Sequence, residues 1–201
     1  LNAWLAANGG ASASDSCSSV TWSNDFSAVA AACGATGSVT VTFTATDACG
    51  NTESTSATFT IQDTTAPTIT ISASDLTVEC DGSGNVAQLN AWLASNGGAS
   101  ASDSCSSVTW SNDFTSVSAA CGATGSVTVT FTATDDCGNT ESTSATFTIE
   151  DTTAPTITIS ANDLTVECDG SGNVAELNAW LAANGGASAS DSCSSVTWSN
   201  D

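Results

Sequence analysis

Apolar and polar residues alternate along several segments of the chain, and this period of two is typical of half-buried β-strands. The predicted strands cover residues 68–72, 76–80, 107–111, 126–135 and 143–150. Threonine dominates the outward positions, and because it is β-branched it favours strands without adding charge. The residues expected to face inward are Ile69, Ile71, Leu76, Val78, Cys80, Val108, Trp110, Val127, Val129, Phe131, Ala133, Ala145, Phe147 and Ile149.

One segment has a helical period instead. Its apolar residues follow the spacing i, i+3, i+6 and i+7, which predicts a short helix over 86–96. Asn85 is the expected N-cap and Gly97 the expected stop after the last turn. We expect the tryptophans of this region, Trp92 and Trp110, to pack in the core. The helix-forming apolar residues are Val86, Leu89, Trp92 and Leu93.

The same sequence then recurs along the chain. The segment Leu-Asn-Ala-Trp-Leu begins at residues 1, 89 and 177, a period of 89 − 1 = 88. Residues 1–62 and 89–150 differ at six positions, and residues 63–113 and 151–201 at three. Such a period indicates one structural unit copied in tandem.

The period divides the chain into three copies. Residues 1–62 are a partial copy that lacks its first strands, residues 63–150 are a complete copy, and residues 151–201 are the N-terminal part of a third. These boundaries are explained more simply if the sequence is a segment of a continuous tandem array than if strands are exchanged between subunits. We expect the chain to be an excerpt from a longer secreted protein.

Composition excludes most enzyme and nucleic-acid functions. The chain has no Lys, Arg or His against 21 Asp and Glu, a formal charge of −21. Nucleic-acid binding depends on basic residues, and the common nucleophilic triads and imidazole metal sites need histidine. We therefore predict no enzyme, no nucleic-acid partner and, since no long apolar run occurs, no membrane insertion. A carboxylate acid/base pair is the remaining enzymatic possibility, but no pocket can be argued from the sequence.

Short antiparallel strands separated by turns, within 88 residues, predict an all-β fold of tandem immunoglobulin-like sandwiches with one short helix per repeat. Three segments carry a more specific resemblance: FTATDDCGN at 131–139, ATFTI at 145–149 and DTTAP at 151–155. They resemble the hyalin-repeat (HYR-like) modules of secreted bacterial surface proteins of the Bacteroidetes type. The resemblance implies an extracellular, repetitive, adhesive or structural role. The helix-bearing insert at 81–104 departs from that pattern.

Cysteine usage indicates an oxidising compartment, because nine cysteines in 201 residues are unusual in the cytosol. We expect two disulfides within each copy. A nine-residue strand of about 30 Å separates Cys121 from Cys137, which disfavours that pairing. The favoured scheme is Cys105–Cys137 with Cys80–Cys121, and Cys80–Cys137 with Cys105–Cys121 is the alternative. The first copy repeats the favoured pair as Cys17–Cys49. A zinc site is a less favoured interpretation of these cysteines, because they lack the paired C-x₂₋₄-C spacing of zinc-binding knuckles.

The acidic excess predicts bound calcium, since carboxylate oxygens are its preferred ligands. The complete copy has ten carboxylates and no basic residue, and several of them fall in predicted loops at one end of the sandwich. A Ca²⁺ ion there would brace the junction between copies, and the alternative is that the carboxylates only keep the repeat soluble. The candidate ligands are Asp63, Asp103, Asp135 and Asp136, with Glu150, Asp151 and Asp191 at the next junction; the loop 81–85 is a weaker candidate.

Two functions remain. The first is a structural repeat of an extracellular stalk or filament, whose partners are neighbouring repeats and identical chains. The alternative is a surface adhesin that binds glycans or other cells through Trp92, Trp110 or the helix face. Thr64 and Thr152 lie in Asp-Thr-Thr segments that resemble the O-glycan acceptors of Bacteroidetes proteins, so both are candidate glycosylation sites.

Overall fold

The computed structural model describes residues 1–200. Strands make up 36% of the chain and helices 16%, so the prediction of a mainly β protein is confirmed. None of the helices in the described range is long and apolar enough to cross a membrane.

Strands and helices follow the sequence patterns closely. In chain order the strands are β1 Thr21–Asn24, β2 Ala30–Ala31, β3 Gly37–Thr46, β4 Thr52–Ile61, β5 Thr68–Ile71, β6 Leu76–Glu79, β7 Ser100–Ser102, β8 Val108–Asn112, β9 Ser118–Ala119, β10 Gly125–Asp135, β11 Thr140–Glu150, β12 Thr156–Ile159 and β13 Ser188–Ser190. The helices are α1 Asn2–Ala6, α2 Val86–Ala94 and α3 Val174–Ala182, each followed by a single 3₁₀ turn.

Contacts divide the chain into two compact units. Unit 1 comprises residues 1–70, 101–111 and 132–141, and unit 2 comprises residues 71–100, 112–131 and 142–201. Unit 1 therefore joins residues of the first and second sequence copies, and unit 2 joins residues of the second and third.

In the complete copy, one sheet has the strand order β6-β11-β10-β8, with the short β9 also paired to β10. Strand β6 lies parallel to β11, in the register Phe147↔Leu76 through Glu150↔Glu79. The predicted alternation is confirmed in β10 and β11, where Val129, Phe131 and Phe147 are fully buried while the threonines between them are not.

The first copy forms a second sheet with the order β1-β3-β2, in which β4 also pairs with β3. Strands β3 and β4 are antiparallel over their whole length, from Gly37↔Ile61 to Thr46↔Thr52. Val41 and Phe43 are fully buried on one face. Thr and Ser hydroxyls pair across the other face, as at Thr40 and Thr58 with 2.8 Å between their oxygens.

Helix α2 begins where predicted but ends at Ala94 rather than at residue 96. Asn85 is the N-cap, although its side chain makes no capping bond to the helix. Its Nδ2 donates instead to the carbonyl oxygen of Glu79 at 2.8 Å, and its backbone is left-handed, with φ of 51°. Gly97 lies in the following 3₁₀ turn with φ of 64°.

Trp92 packs helix α2 against the sheet. Its indole packs edge-on against Phe131, with ring centroids 5.2 Å apart, and is tilted against Phe147 at 5.7 Å. Its Nε1–H donates to the carbonyl oxygen of Ser74 at 3.0 Å. The expected core role of Trp92 is confirmed, since only 6% of the residue is exposed.

Two apolar positions differ from the prediction or from their counterparts. Ile71, expected to face inward, is 59% exposed because β5 pairs only with the three-residue β7. Leu177 is 50% exposed although its counterpart Leu89 is buried. Leu89 lies in the copy that contains β10 and β11, and no strand equivalent to these follows Leu177 within the described residues.

Candidate cystine and carboxylate sites

Two disulfides occur among the described residues, and each joins cysteines of different sequence copies. Cys33 bonds Cys137 with a Cα–Cα distance of 5.1 Å and a sequence separation of 104. Cys80 bonds Cys193 with a Cα–Cα distance of 6.0 Å and a separation of 113. The first disulfide lies in unit 1 and the second in unit 2.

The pairings expected within one copy are therefore wrong. Cys105–Cys137 and Cys80–Cys121 do not form, and neither do the alternatives Cys80–Cys137 and Cys105–Cys121. Cys105 and Cys121 are free thiols, and so are Cys17 and Cys49, which were expected to pair with each other.

A backbone contact accompanies the observed pairing. In unit 1 the turn at residues 33–36 lies against the Cys105 loop, and Ala35 N–H donates to the Cys105 carbonyl oxygen at 2.8 Å. This contact brings the first copy to the loops of the second, and there Cys33 reaches Cys137. The prediction assumed that each copy closes its own disulfides.

Unit 2 contains the same contact 88 residues later. Ala123 N–H donates to the Cys193 carbonyl oxygen, again at 2.8 Å. The approach requires glycine, since Gly122 has φ of +57° and a Cβ there would collide with that carbonyl oxygen. The turn itself is closed by the Thr124 hydroxyl, which donates to the Cys121 carbonyl oxygen at 2.7 Å.

Carboxylates gather beside these loops in two groups. Asp63, Asp103 and Cys105 form one group in unit 1, and Asp151, Asp191 and Cys193 form the other in unit 2. In each group one carboxylate oxygen from each aspartate and the sulfur lie within 4.8 Å of one another. Cys193 is bonded to Cys80, so its sulfur is no thiolate ligand.

Backbone hydrogen bonds hold one oxygen of each loop aspartate. Asp103 Oδ1 accepts from the N–H groups of Cys105 and Ser106 at 2.8 and 3.0 Å. Asp191 Oδ1 accepts in the same way from Cys193 and Ser194, each at 2.8 Å. The bonds from Cys193 and Ser194 lower the pKa of Asp191 because they stabilise its charged form. The second oxygen of each carboxylate remains available.

Asp63 has a buried oxygen without a partner. Its Oδ1 accepts from Thr65 N–H at 3.0 Å, but its Oδ2 is buried and has no hydrogen bond among the described residues. Buried polar atoms are nearly always paired, and an unpaired one points to an absent ion or water. With the Asp103 carboxylate close by, the group is suited to a cation.

Three other predicted ligands lie outside both groups. Asp135 is engaged in its own turn: its Oδ1 accepts from the N–H groups of Cys137 and Asn139, and its Oδ2 accepts from Asn139 Nδ2–H, all at 2.8 Å. Burial acts to raise the pKa of Asp135, but these hydrogen bonds outweigh it and the pKa is lowered. Asp136 accepts from the Ser107 hydroxyl at 2.8 Å, and Glu150 is exposed.

Glu79, which the sequence did not single out, accepts three hydrogen bonds from a segment distant in the chain. Its Oε1 accepts from Thr152 N–H at 3.0 Å and from the Thr153 hydroxyl at 2.9 Å, and its Oε2 accepts from the Thr152 hydroxyl at 2.9 Å. The bonds from Thr152 come first among the causes that lower the pKa of Glu79. Its partners are more than 70 residues away along the chain, so no local pattern indicates this contact.

The remaining predicted site residues are exposed or engaged in ordinary contacts. Thr64 and Thr152 are both exposed, and the Thr152 hydroxyl is occupied by Glu79. The loop 81–85 uses its leading carboxylate internally, since Asp81 Oδ1 accepts from Ser83 N–H at 2.7 Å and from Asn85 N–H at 3.0 Å. Trp110 is half-buried.

No family model matches the chain, and none of the curated proteins is similar to it at a significant level.

Proposed function

We propose that the chain is a run of immunoglobulin-like modules, similar to hyalin repeats, that forms a structural part of an extracellular stalk or filament. The observation that carries the proposal is that both disulfides join cysteines of successive copies. A module that acts alone gains nothing from a bond to its neighbour. A load-bearing array does, because such bonds resist separation of one copy from the next.

Both disulfides close long loops. In the chain-entropy model a bond across about 100 residues stabilises the folded state by roughly 4–5 kcal/mol. The two disulfides span 104 and 113 residues. Each therefore stabilises the contact between two copies more than a single surface contact would. Disulfides of this kind persist in oxidising compartments, which supports an extracellular location.

Calcium is the second part of the proposal. Residues Asp63 and Asp103 would contribute carboxylate oxygens to one ion, and Asp151 and Asp191 to another. The support is the unpaired buried Oδ2 of Asp63 and the closeness of two carboxylates in a chain without any cationic side chain. At a calcium concentration tenfold above Kd, one ion would stabilise the fold by about 1.4 kcal/mol.

Electron micrographs of the native material test the structural role. Extended strings of beads or continuous fibres on the cell surface are the expected result. Compact, isolated globules of the native protein would overturn the proposal.

Thermal unfolding with and without EGTA tests the calcium site. We expect chelation to lower the Tm of the protein, and Asp103→Asn and Asp191→Asn each to reduce that shift, because each removes a carboxylate charge from one group.

Asp15→Asn is the matched control. Asp15 makes the same loop hydrogen bonds, from Cys17 N–H and Ser18 N–H at 2.7 Å, but belongs to neither carboxylate group. An unchanged Tm on chelation would show that the acidic residues act only as surface charge.

A further inference from the structure

The two disulfides and the five free thiols follow one rule when residues are compared at the 88-residue period. Cys33 corresponds to Cys121 (33 + 88), and Cys137 corresponds to Cys49 (137 − 88). Cys80 corresponds to Cys168 (80 + 88), and Cys193 corresponds to Cys105 and Cys17. Each disulfide thus joins one class of cysteine in a copy to a different class in the following copy.

This rule accounts for every unpaired cysteine. If the Cys33–Cys137 bond is shifted by 88 residues, the partner of Cys121 falls at 137 + 88 = 225 and that of Cys49 falls before residue 1. If the Cys80–Cys193 bond is shifted, the partner of Cys168 falls at 193 + 88 = 281, and those of Cys105 and Cys17 fall before residue 1. The five cysteines without a partner at positions 1–201 are the five free thiols, Cys17, Cys49, Cys105, Cys121 and Cys168.

We propose that each of these thiols is a disulfide site whose partner is a cysteine of a preceding or following copy of the same repeat. Every junction between successive copies then carries two disulfides, one of the Cys33–Cys137 type and one of the Cys80–Cys193 type. Within the described residues each junction shows only one of the two.

Two of the free thiols have the same local contacts as their bonded counterparts. Cys105 receives the same hydrogen bond from Ala35 that Cys193 receives from Ala123, both at 2.8 Å. The turn that carries free Cys121 is closed by a threonine hydroxyl bond of 2.7 Å, and the turn that carries bonded Cys33 by one of 2.6 Å. Cys105 and Cys121 are therefore already positioned as Cys193 and Cys33 are.

The bond-forming step requires an oxidant. Two thiols lose two protons and two electrons as their sulfurs join, and a disulfide such as oxidised glutathione accepts them and leaves as two thiols. An oxidising extracellular or periplasmic compartment supplies reagents of this class.

The first test counts thiols in the monomeric chain of 201 residues, purified from an oxidising compartment, by alkylation without reduction and intact mass. Nine cysteines with two disulfides leave five thiols. Cys80→Ser should raise the count to six, because Cys193 loses its partner. Cys168→Ser is the matched control at the equivalent position and should lower the count to four. A count of four in the Cys80→Ser variant would mean that Cys80 was not bonded to Cys193 or that Cys193 has taken another partner, and it would overturn the rule.

The second test lengthens the chain by one repeat, appending a copy of residues 114–201 after Asp201. The appended segment brings four more cysteines, equivalent to Cys121, Cys137, Cys168 and Cys193. The rule predicts that Cys121 and Cys168 now form disulfides with the added copies of Cys137 and Cys193, so that the count stays at five thiols while the disulfides rise from two to four. Pairing within a copy, or a count of nine thiols, would overturn the proposal.

Peptide mapping of the lengthened chain identifies the new bonds. Cleavage before aspartate yields a Cys121 peptide that begins at Asp113 and differs in mass from the Cys33 peptide at residues 115, 116 and 118. The appended copy yields the same peptide from Asp201, and its cysteine has no partner under the rule. We therefore expect half of this peptide to be disulfide-linked and half to carry a free thiol, whereas in the 201-residue chain all of it carries a free thiol. This test does not depend on the proposed stalk, because the pairing rule could hold in an adhesin, and a wrong pairing rule would leave the micrographs of native material unaffected.

Discussion

Single side chains in this protein act through contacts distant in sequence, and Glu79 is the clearest case. Both of its carboxylate oxygens accept hydrogen bonds from Thr152 and Thr153. Glu79 stands at an outward position of β6, where the alternation predicts an ordinary solvent-exposed residue. Charged acceptors make stronger hydrogen bonds than neutral ones, so this residue stabilises unit 2 more than its exposure indicates.

We predict that Glu79→Gln lowers the urea midpoint of unfolding at pH 7, because an amide cannot accept with both ends. The control is Glu167→Gln at the equivalent position, where no side-chain hydrogen bond occurs within residues 1–200, and its midpoint should stay close to that of the parent.

The same variant pair gives a pH dependence. Folding lowers the pKa of Glu79 below its usual value of 4.5, so its stabilisation is complete above that value and disappears as the pH falls through the lowered pKa. The gap between Glu79→Gln and the parent should therefore close in acid. A gap that is constant from pH 7 to pH 2.5 would contradict the role of the charge.

At the scale of elements, the short turns matter more than the strands for joining copies. The long strands β3, β4, β10 and β11 build the sheets, and their alternation is visible in the sequence. The turn at 121–124 is brief and carries one half-buried apolar residue, yet it makes the backbone bond to the Cys193 loop. Gly122 permits that approach because it has neither a Cβ nor a penalty for positive φ.

We predict that Gly122→Ala destabilises the protein by at least about 1 kcal/mol more than Gly138→Ala, measured by urea unfolding. Both glycines have positive φ, so both variants strain the backbone. A Cβ at Gly138 has nothing within 4 Å, whereas one at Gly122 meets the Cys193 carbonyl oxygen. Equal losses in the two variants would show that the close approach is unimportant.

At the scale of the whole molecule, the disulfides join stretches of chain that no local structure connects. Replacing Cys33 by serine removes one bond and should cost about 2–5 kcal/mol of unfolding free energy. Cys49→Ser is the control, because Cys49 is exposed and unpaired in this chain, and it should change stability by less than about 0.5 kcal/mol. Both are measured by urea unfolding without reductant, and in excess reductant the difference should vanish.

Much of the fold and part of the candidate sites could be predicted. The period-two pattern placed β10 and β11 to within three residues, and the helical spacing placed α2 with its N-cap, because both signals reflect which side chains of one short segment meet the core. Asp63 and Asp103 were predicted to lie together and do so. Asp135 and Asp136 were expected beside them. Asp135 instead accepts hydrogen bonds within its own turn, and Asp136 accepts one from Ser107. Composition does not show which hydrogen-bond donors a carboxylate will meet.

The sequence alone determined the β-rich architecture, the repeat and the absence of basic chemistry, since periodicity and composition are properties of neighbouring residues and of counts. Only the tertiary structure decided which cysteines bond. Four cysteines per repeat are compatible with bonds inside a copy or between copies, and the choice depends on the Ala35–Cys105 and Ala123–Cys193 backbone contacts. Disulfide formation requires Cα atoms within about 7 Å, and that proximity exists only after distant segments have packed together.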